Sequence, residues 1–193
     1  MRKSVCFTLA AAAVLAAALV TLPATAQTPP ATPAVGQAAP AFTLPSQDGS
    51  GISLRSFRGK YVVLYFYPKD MTPGCTIEAH NFQRDLPQYE QRGSVILGVS
   101  EDTPDSHQQF CTKEGLTFRL LADTRHKVAT AYGSLGSYNG APMANRNTFL
   151  IDPHGKIVKV WTKVNPSVHS AEVLGAIDAV RPPQTQNKPA KPE

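Results

Sequence analysis

Apolar and polar positions alternate along this chain in blocks, and the densest interior block is residues 61–67, YVVLYFY. It is rich in β-branched and aromatic residues, has strand length and stops at Pro68, which predicts a buried strand. A helix start follows, with Thr72 as N-cap and Pro73 at the first helical position. Cys75, Ala79, Phe82, Leu86 and Tyr89 then recur at helical spacing and define one face. Pro87 predicts a kink or break near Asp85-Leu86, and Gly93 an end. Residues 95–100 read as a second strand. Asp102 or Thr103 opens a helix through about Glu114 that carries Cys111, with Gly115 as its stop. Residues 118–121 read as a strand, 125–132 as a short helix and 133–145 as loop. Two strands, 147–151 and 156–164, are joined by Asp152-Pro153-His154-Gly155. A last helix opens at Pro166 or Ser167, with Val168, Val173, Leu174, Ile177 and Val180 as its apolar positions. Ahead of the first block, residues 41–44 and 51–54 form two short strands around a turn at 46–50. This order predicts an α/β fold with a central mixed sheet flanked by helices on both faces.

The ends do not share this patterning. Arg2 and Lys3 precede an apolar stretch at 7–20, and Ala24-Thr25-Ala26 supplies a small-x-small cleavage site, so residues 1–26 read as a signal peptide. An uncleaved anchor is the alternative, though the stretch is short for a membrane span. Residues 27–34 are a Pro/Ala-rich linker, residues 35–180 the folded domain and residues 181–193 a disordered tail. Removing 26 of the 193 residues leaves 167, enough for one domain, and takes the formal charge from +5 to +3. The remaining charges are scattered, so a nucleic-acid partner is not expected. Export implies a periplasmic or secreted protein without stable membrane association after cleavage. It also leaves two cysteines, Cys75 and Cys111, in a compartment where disulfides persist. Either they form one structural disulfide, or a disulfide forms and breaks in each turnover.

Chemistry concentrates at Cys75. Three residues after the cap, its sulfur meets free backbone N–H groups and the positive end of the helix dipole, which biases it toward thiolate. Lowering a thiol pKa by roughly two units takes ~2.7 kcal/mol, whereas a helix terminus typically supplies ~0.3–1 kcal/mol. A cationic partner is therefore expected, and Arg146 is the candidate.

Pro68, Thr72 and Cys75 match the PxxxTxxC motif of the peroxiredoxins, and YPKDMTPGCTIEA resembles their bacterioferritin-comigratory or peroxiredoxin Q branch. VGQAAPAF, VILGVS and RNTFLIDPHGKI extend the resemblance over about residues 35–180. It implies a thioredoxin-like fold with an N-terminal β extension, and a thiol-dependent peroxidase acting on hydrogen peroxide and organic hydroperoxides without metal or organic cofactor. It further implies that Cys75 is the peroxidatic nucleophile, that Thr72 hydrogen-bonds peroxide and sulfur, that Pro68 shields the pocket and that Arg146 supports thiolate and oxygens. A monomer served by a thioredoxin-like or other thiol reductant is the family expectation.

One departure matters. Many members of this branch carry a resolving cysteine five residues after the nucleophile, where this chain has His80. Two schemes remain: Cys111 resolves the sulfenic acid, which requires local unwinding, or the enzyme uses one cysteine and an outside thiol. Glu78 either orients Arg146 or faces solvent. His80 is taken as a bystander, Tyr65, Tyr67 and Trp161 as packing, and His107, His126, His154 and His169 as unrelated histidines without zinc spacing. The competing readings are a thiol–disulfide oxidoreductase, which would need a cysteine where Glu78 stands, and a copper-binding assembly protein using Cys75, His80 or a second thiol.

Overall fold

The computed structural model describes residues 31–181. The stretches read from the sequence as signal peptide, the start of the linker and the tail after Arg181 lie outside the described residues. In chain order the elements are β1 (Thr43–Pro45), β2 (Gly51–Ser53), a 3-10 turn (Leu54–Phe57), β3 (Tyr61–Phe66), α1 (Pro73–Gln91), β4 (Ser94–Ser100), α2 (Pro104–Glu114) and β5 (Arg119–Ala122). There follow α3 (Lys127–Ala131), β6 (Leu135–Tyr138), β7 (Ala141–Ala144), β8 (Thr148–Ile151), β9 (Ile157–Trp161) and α4 (His169–Val180).

Five strands form the central sheet in the order β5-β4-β3-β8-β9. β3 runs parallel to β4 and antiparallel to β8, so the sheet is mixed. Its middle strand is apolar throughout because both of its faces are covered. Val63, Tyr65 and Tyr67 point into a core with Cys75, Ala79, Phe82 and Tyr89 of α1, Phe110 and Cys111 of α2, and Val173 and Ile177 of α4. Val62, Leu64 and Phe66 point the other way, onto Phe42, Leu44 and Leu54 of the N-terminal extension and Val128 and Ala129 of α3. The extension crosses that second face, bridging β9 through Ala38 and Lys156 at one sheet edge and β5 through Ser46 and Leu121 at the other.

Three expectations need correction. Helix α1 runs unbroken through Pro87. The helix is tied to α4 on both sides of that proline: the Tyr89 hydroxyl donates to the Ser170 carbonyl at 2.8 Å, and the Ser170 hydroxyl donates to Asp85 at 2.8 Å. The segment read as loop at 133–145 contains the β6–β7 hairpin. Asn139 and Gly140 both take positive φ (50° and 79°), the requirement of a two-residue type I′ turn. Of the positions expected to face inward from the last helix, Val168 and Val180 are exposed, and His169 and Ser170 are buried instead. The helix starts at His169, later than Pro166, with Val168 ahead of it as the N-cap and Val180 as its last residue.

Candidate active site

Strand register explains how residues 71 positions apart meet. β8 lies antiparallel to β3 with Tyr65 opposite Thr148, so continuing the register puts Arg146 level with Tyr67, just ahead of Pro68. The Phe66 N–H donates to the Asn147 carbonyl at 2.8 Å and pins that end. From there the Arg146 Nη2 donates to Cys75 Sγ at 3.1 Å and its Nη1 to Glu78 Oε2 at 2.7 Å. The cation expected beside the helix terminus is therefore present, fixed by a carboxylate one turn further along α1.

Glu78 is 1% exposed and its Oε1 has no partner. Burial pushes its carboxyl up to about 7, against the pull of Arg146. The structure thus decides between the two roles left open: Glu78 holds Arg146 and does not face solvent.

Thr72 has extended backbone and sits at the N-cap, but its side chain does not cap the helix. Its hydroxyl instead donates to the Lys69 carbonyl at 3.0 Å, which commits the hydrogen and leaves oxygen lone pairs for a ligand that can donate. Pro68 and Thr72 line a cavity of about 570 Å³ together with Gly74, Tyr138, Met143 and Arg146. Cys75, 2% exposed, meets this cavity through Arg146, which both lines it and donates to Sγ. The β6–β7 hairpin forms the far wall, held by the Ala144 N–H donating to Glu101 at 3.0 Å.

Cys111 is not part of this wall. It is buried on α2 in the core shared with Cys75, and both thiols are free. Burial, with the charge of Asp70 adding to it, pushes the Cys111 thiol up to about 11. His80 is exposed and turned to Glu114 at 2.9 Å. Tyr65 and Tyr67 are core residues, stacked with ring centroids 5.4 Å apart, and Trp161 packs at the core's margin.

The AhpC/TSA family model matches residues 35–160. The chain belongs to this family. The putative peroxiredoxin bcp of Coxiella burnetii is 45% identical over 150 residues, covering 74% of this chain and 97% of its own. Peroxiredoxin Bcp of Bacillus subtilis is 43% identical over 150 residues, with 74% and 94% covered. Among solved structures, Xanthomonas campestris peroxiredoxin Q superposes with a TM-score of 0.69 at 38% identity, covering 72% of this chain and 90% of its own. A mutant of Xylella fastidiosa PrxQ gives 0.72 at 34%, with 76% and 96% covered. The enzyme is accordingly a peroxiredoxin, a thiol-dependent peroxidase on a thioredoxin-like fold.

Reading the sequence missed two parts of this peroxiredoxin's site. The hairpin wall was legible in Asn139-Gly140, a turn pair whose flanks lack the alternation of a strand with a buried face. The second part is a buried polar network that joins the β3–α1 loop to α2, with Asp70 and His107 at its centre. His107 lies four residues before Cys111, on the same helix face, and that spacing was its one signal.

Proposed function

We propose that Cys75 attacks the terminal oxygen of a hydroperoxide as a thiolate. The oxygen–oxygen bond breaks, the sulfur gains a hydroxyl as a sulfenic acid, and the other oxygen leaves as water or an alcohol once it has taken up a proton. The contact that carries this reading is the 3.1 Å hydrogen bond from Arg146 to Sγ. Its guanidinium also lines the cavity where the peroxide oxygens must sit, so the donors face both the nucleophile and the charge developing on the leaving oxygen. Thr72 accepts from the peroxide hydroxyl, and Pro68 closes the cavity against water. Organic hydroperoxides are substrates beside hydrogen peroxide, which the apolar contribution of Tyr138 and Met143 supports. The Xanthomonas campestris bacterioferritin comigratory protein is itself described for alkyl peroxide reduction.

In this reading Cys111 resolves the sulfenic acid, forming the Cys75–Cys111 disulfide with release of water, and an external dithiol reduces it. Two Cys-to-Ser variants solved for Xanthomonas campestris peroxiredoxin Q lie 36 positions apart, the separation of Cys75 and Cys111 here. The N-terminal Arg2-Lys3, apolar stretch and Ala24-Thr25-Ala26 favour export and work outside the cytoplasm. Copper binding is disfavoured because Cys75 is engaged by Arg146 and His80 by Glu114. Intact-mass analysis after one equivalent of hydrogen peroxide tests the scheme: the expected product has lost two hydrogens and maps to Cys75–Cys111, and Cys75→Ser consumes no peroxide. A stable oxidised Cys75 with Cys111 free rejects the resolving scheme, and an active Cys75→Ser rejects the nucleophile.

A further inference from the structure

Asp70 is 4% exposed, in the loop between β3 and α1, and accepts hydrogen bonds from three side chains. The Tyr67 hydroxyl donates to its Oδ1 at 2.7 Å, the Ser106 hydroxyl to its Oδ2 at 2.8 Å, and His107 Nδ1 lies 2.9 Å from the same Oδ2. Both Asp70 oxygens accept from hydroxyls, so Nδ1 is the ring's donor toward it, and in the neutral ring Nε2 is left with a bare lone pair. That Nε2 is buried and without a partner. A buried acceptor that receives nothing costs free energy, and this one lies one helical turn before Cys111, on the buried side of α2.

We infer that His107, oriented by Asp70, is the general base that takes the thiol proton of Cys111 ahead of the sulfur's attack on the oxidised Cys75. The inference rests on Cys111 being the resolving cysteine. Cys111 needs such a base, because its surroundings keep it a thiol at neutral pH and a thiol is a poor nucleophile. The proton passes from Sγ to Nε2, and the sulfur–sulfur bond forms as the sulfur–oxygen bond of the sulfenic acid breaks. The departing hydroxide takes a proton from solvent, which the imidazolium restores at the end of the step, and leaves as water, so no outside oxidant or reductant is used. Asp70 then faces a protonated imidazole, the arrangement that makes an acid–histidine pair effective toward a nucleophile.

The architecture suits the motion that resolution requires. The first turn of α2 is fastened: the Thr103 hydroxyl accepts from the Ser106 N–H, and Ser106 and His107 both hold Asp70. The Asp70 N–H in turn donates to Asp102 at 2.9 Å. The proton passes to Nε2 while Cys111 is still one turn from the ring; unwinding from the far end then frees the thiolate, and His107 stays beside the loop that leads to Cys75. The titratable groups around the ring are Asp70 and Tyr67 from the β3–α1 side, with Asp102 behind Asp70, and Cys111 on its own helix.

Rapid-quench thiol trapping with mass analysis, across pH 5.5 to 9, reads both Cys75 oxidation and disulfide formation. In His107→Asn the ratio of the second rate to the first is expected to fall about 100-fold at pH 7, within the range for general-base catalysis. The wild-type resolution rate should level off with pH where the variant still climbs tenfold per unit. Asp70→Asn should lower the ratio at least tenfold. A ratio within threefold of wild type in His107→Asn, or an unchanged pH profile, overturns the inference and leaves the network a structural clamp. If either variant fails to fold by circular dichroism, the wild-type profile decides alone: a rate rising tenfold per pH unit throughout overturns it. Absence of any Cys75–Cys111 bond in the wild type is a different failure, and it removes the resolving scheme and the base together.

Discussion

Gly74 is kept free of a side chain by the guanidinium it lies against. A Cβ built there would sit 2.9 Å from Arg146 Nη2, while its backbone is not in the left-handed region. Alanine is thus acceptable to the helix and more favourable than glycine by ~0.5–1 kcal/mol. The flexible end of Arg146 must give way instead, and with it the contact to Cys75. Gly74→Ala should therefore melt at the same or a higher temperature than the parent while losing at least tenfold in peroxide kcat/KM. Thermal unfolding and peroxide consumption on one preparation check the split, and full activity would show that Arg146 tolerates displacement. At this scale Cys75 and Thr72 were readable because cap position is local. Glu78 and His107 were not, since an isolated glutamate or histidine carries no mark of the burial that gives it a partner.

Among the elements, the β6–β7 hairpin is the one whose absence from the sequence reading has a functional cost. It forms a two-stranded sheet apart from the main one, so its strands bury little and show no alternating pattern. Gly140 holds φ at 79° in its turn, a conformation that costs an L-residue ~1–2 kcal/mol. Gly140→Val should loosen the wall bearing Tyr138 and Met143 with little effect on global unfolding. Steady-state kinetics should show KM rising severalfold for cumene hydroperoxide, whose bulk needs that wall, and much less for hydrogen peroxide. Equal changes for both would mean that the hairpin does not select substrate. Helix α1 makes the complementary point: Pro87 is a local breaker, and contacts to α4 outside its own segment override it.

The whole molecule carries a pH sensitivity at His169, which joins α4 to the sheet. Its Nε2 lies 2.9 Å from the Thr148 hydroxyl, and the rings of Phe82 and Trp161 meet it edge-on at 5.7 and 5.6 Å. Burial pushes this histidine down to about 4, so it stays neutral near pH 7 and its 3.7 Å approach to Glu172 is not an ion pair there. The unfolded chain takes up the proton near pH 6.5 and the folded one only near 4. The stability is therefore complete above about 6.5 and is lost as pH falls toward 4, by about 3 kcal/mol. Urea midpoints at pH 7 and 4.5 should show this fall, and His169→Leu should flatten it. An undiminished slope in that variant would assign the loss to carboxylates.

By itself the sequence determined the buried strand 61–67, the order of the helices and of the strands outside the β6–β7 hairpin, the helix start under Cys75 and the family motif. Each is written in neighbouring residues through period, cap or spacing. Tertiary structure alone decided that Arg146 meets both Cys75 and Glu78, that the hairpin walls the cavity and that Asp70 holds His107. Those pairings join residues 37 to 71 positions apart, and their energy comes from burial and register, which exist only once the sheet has formed.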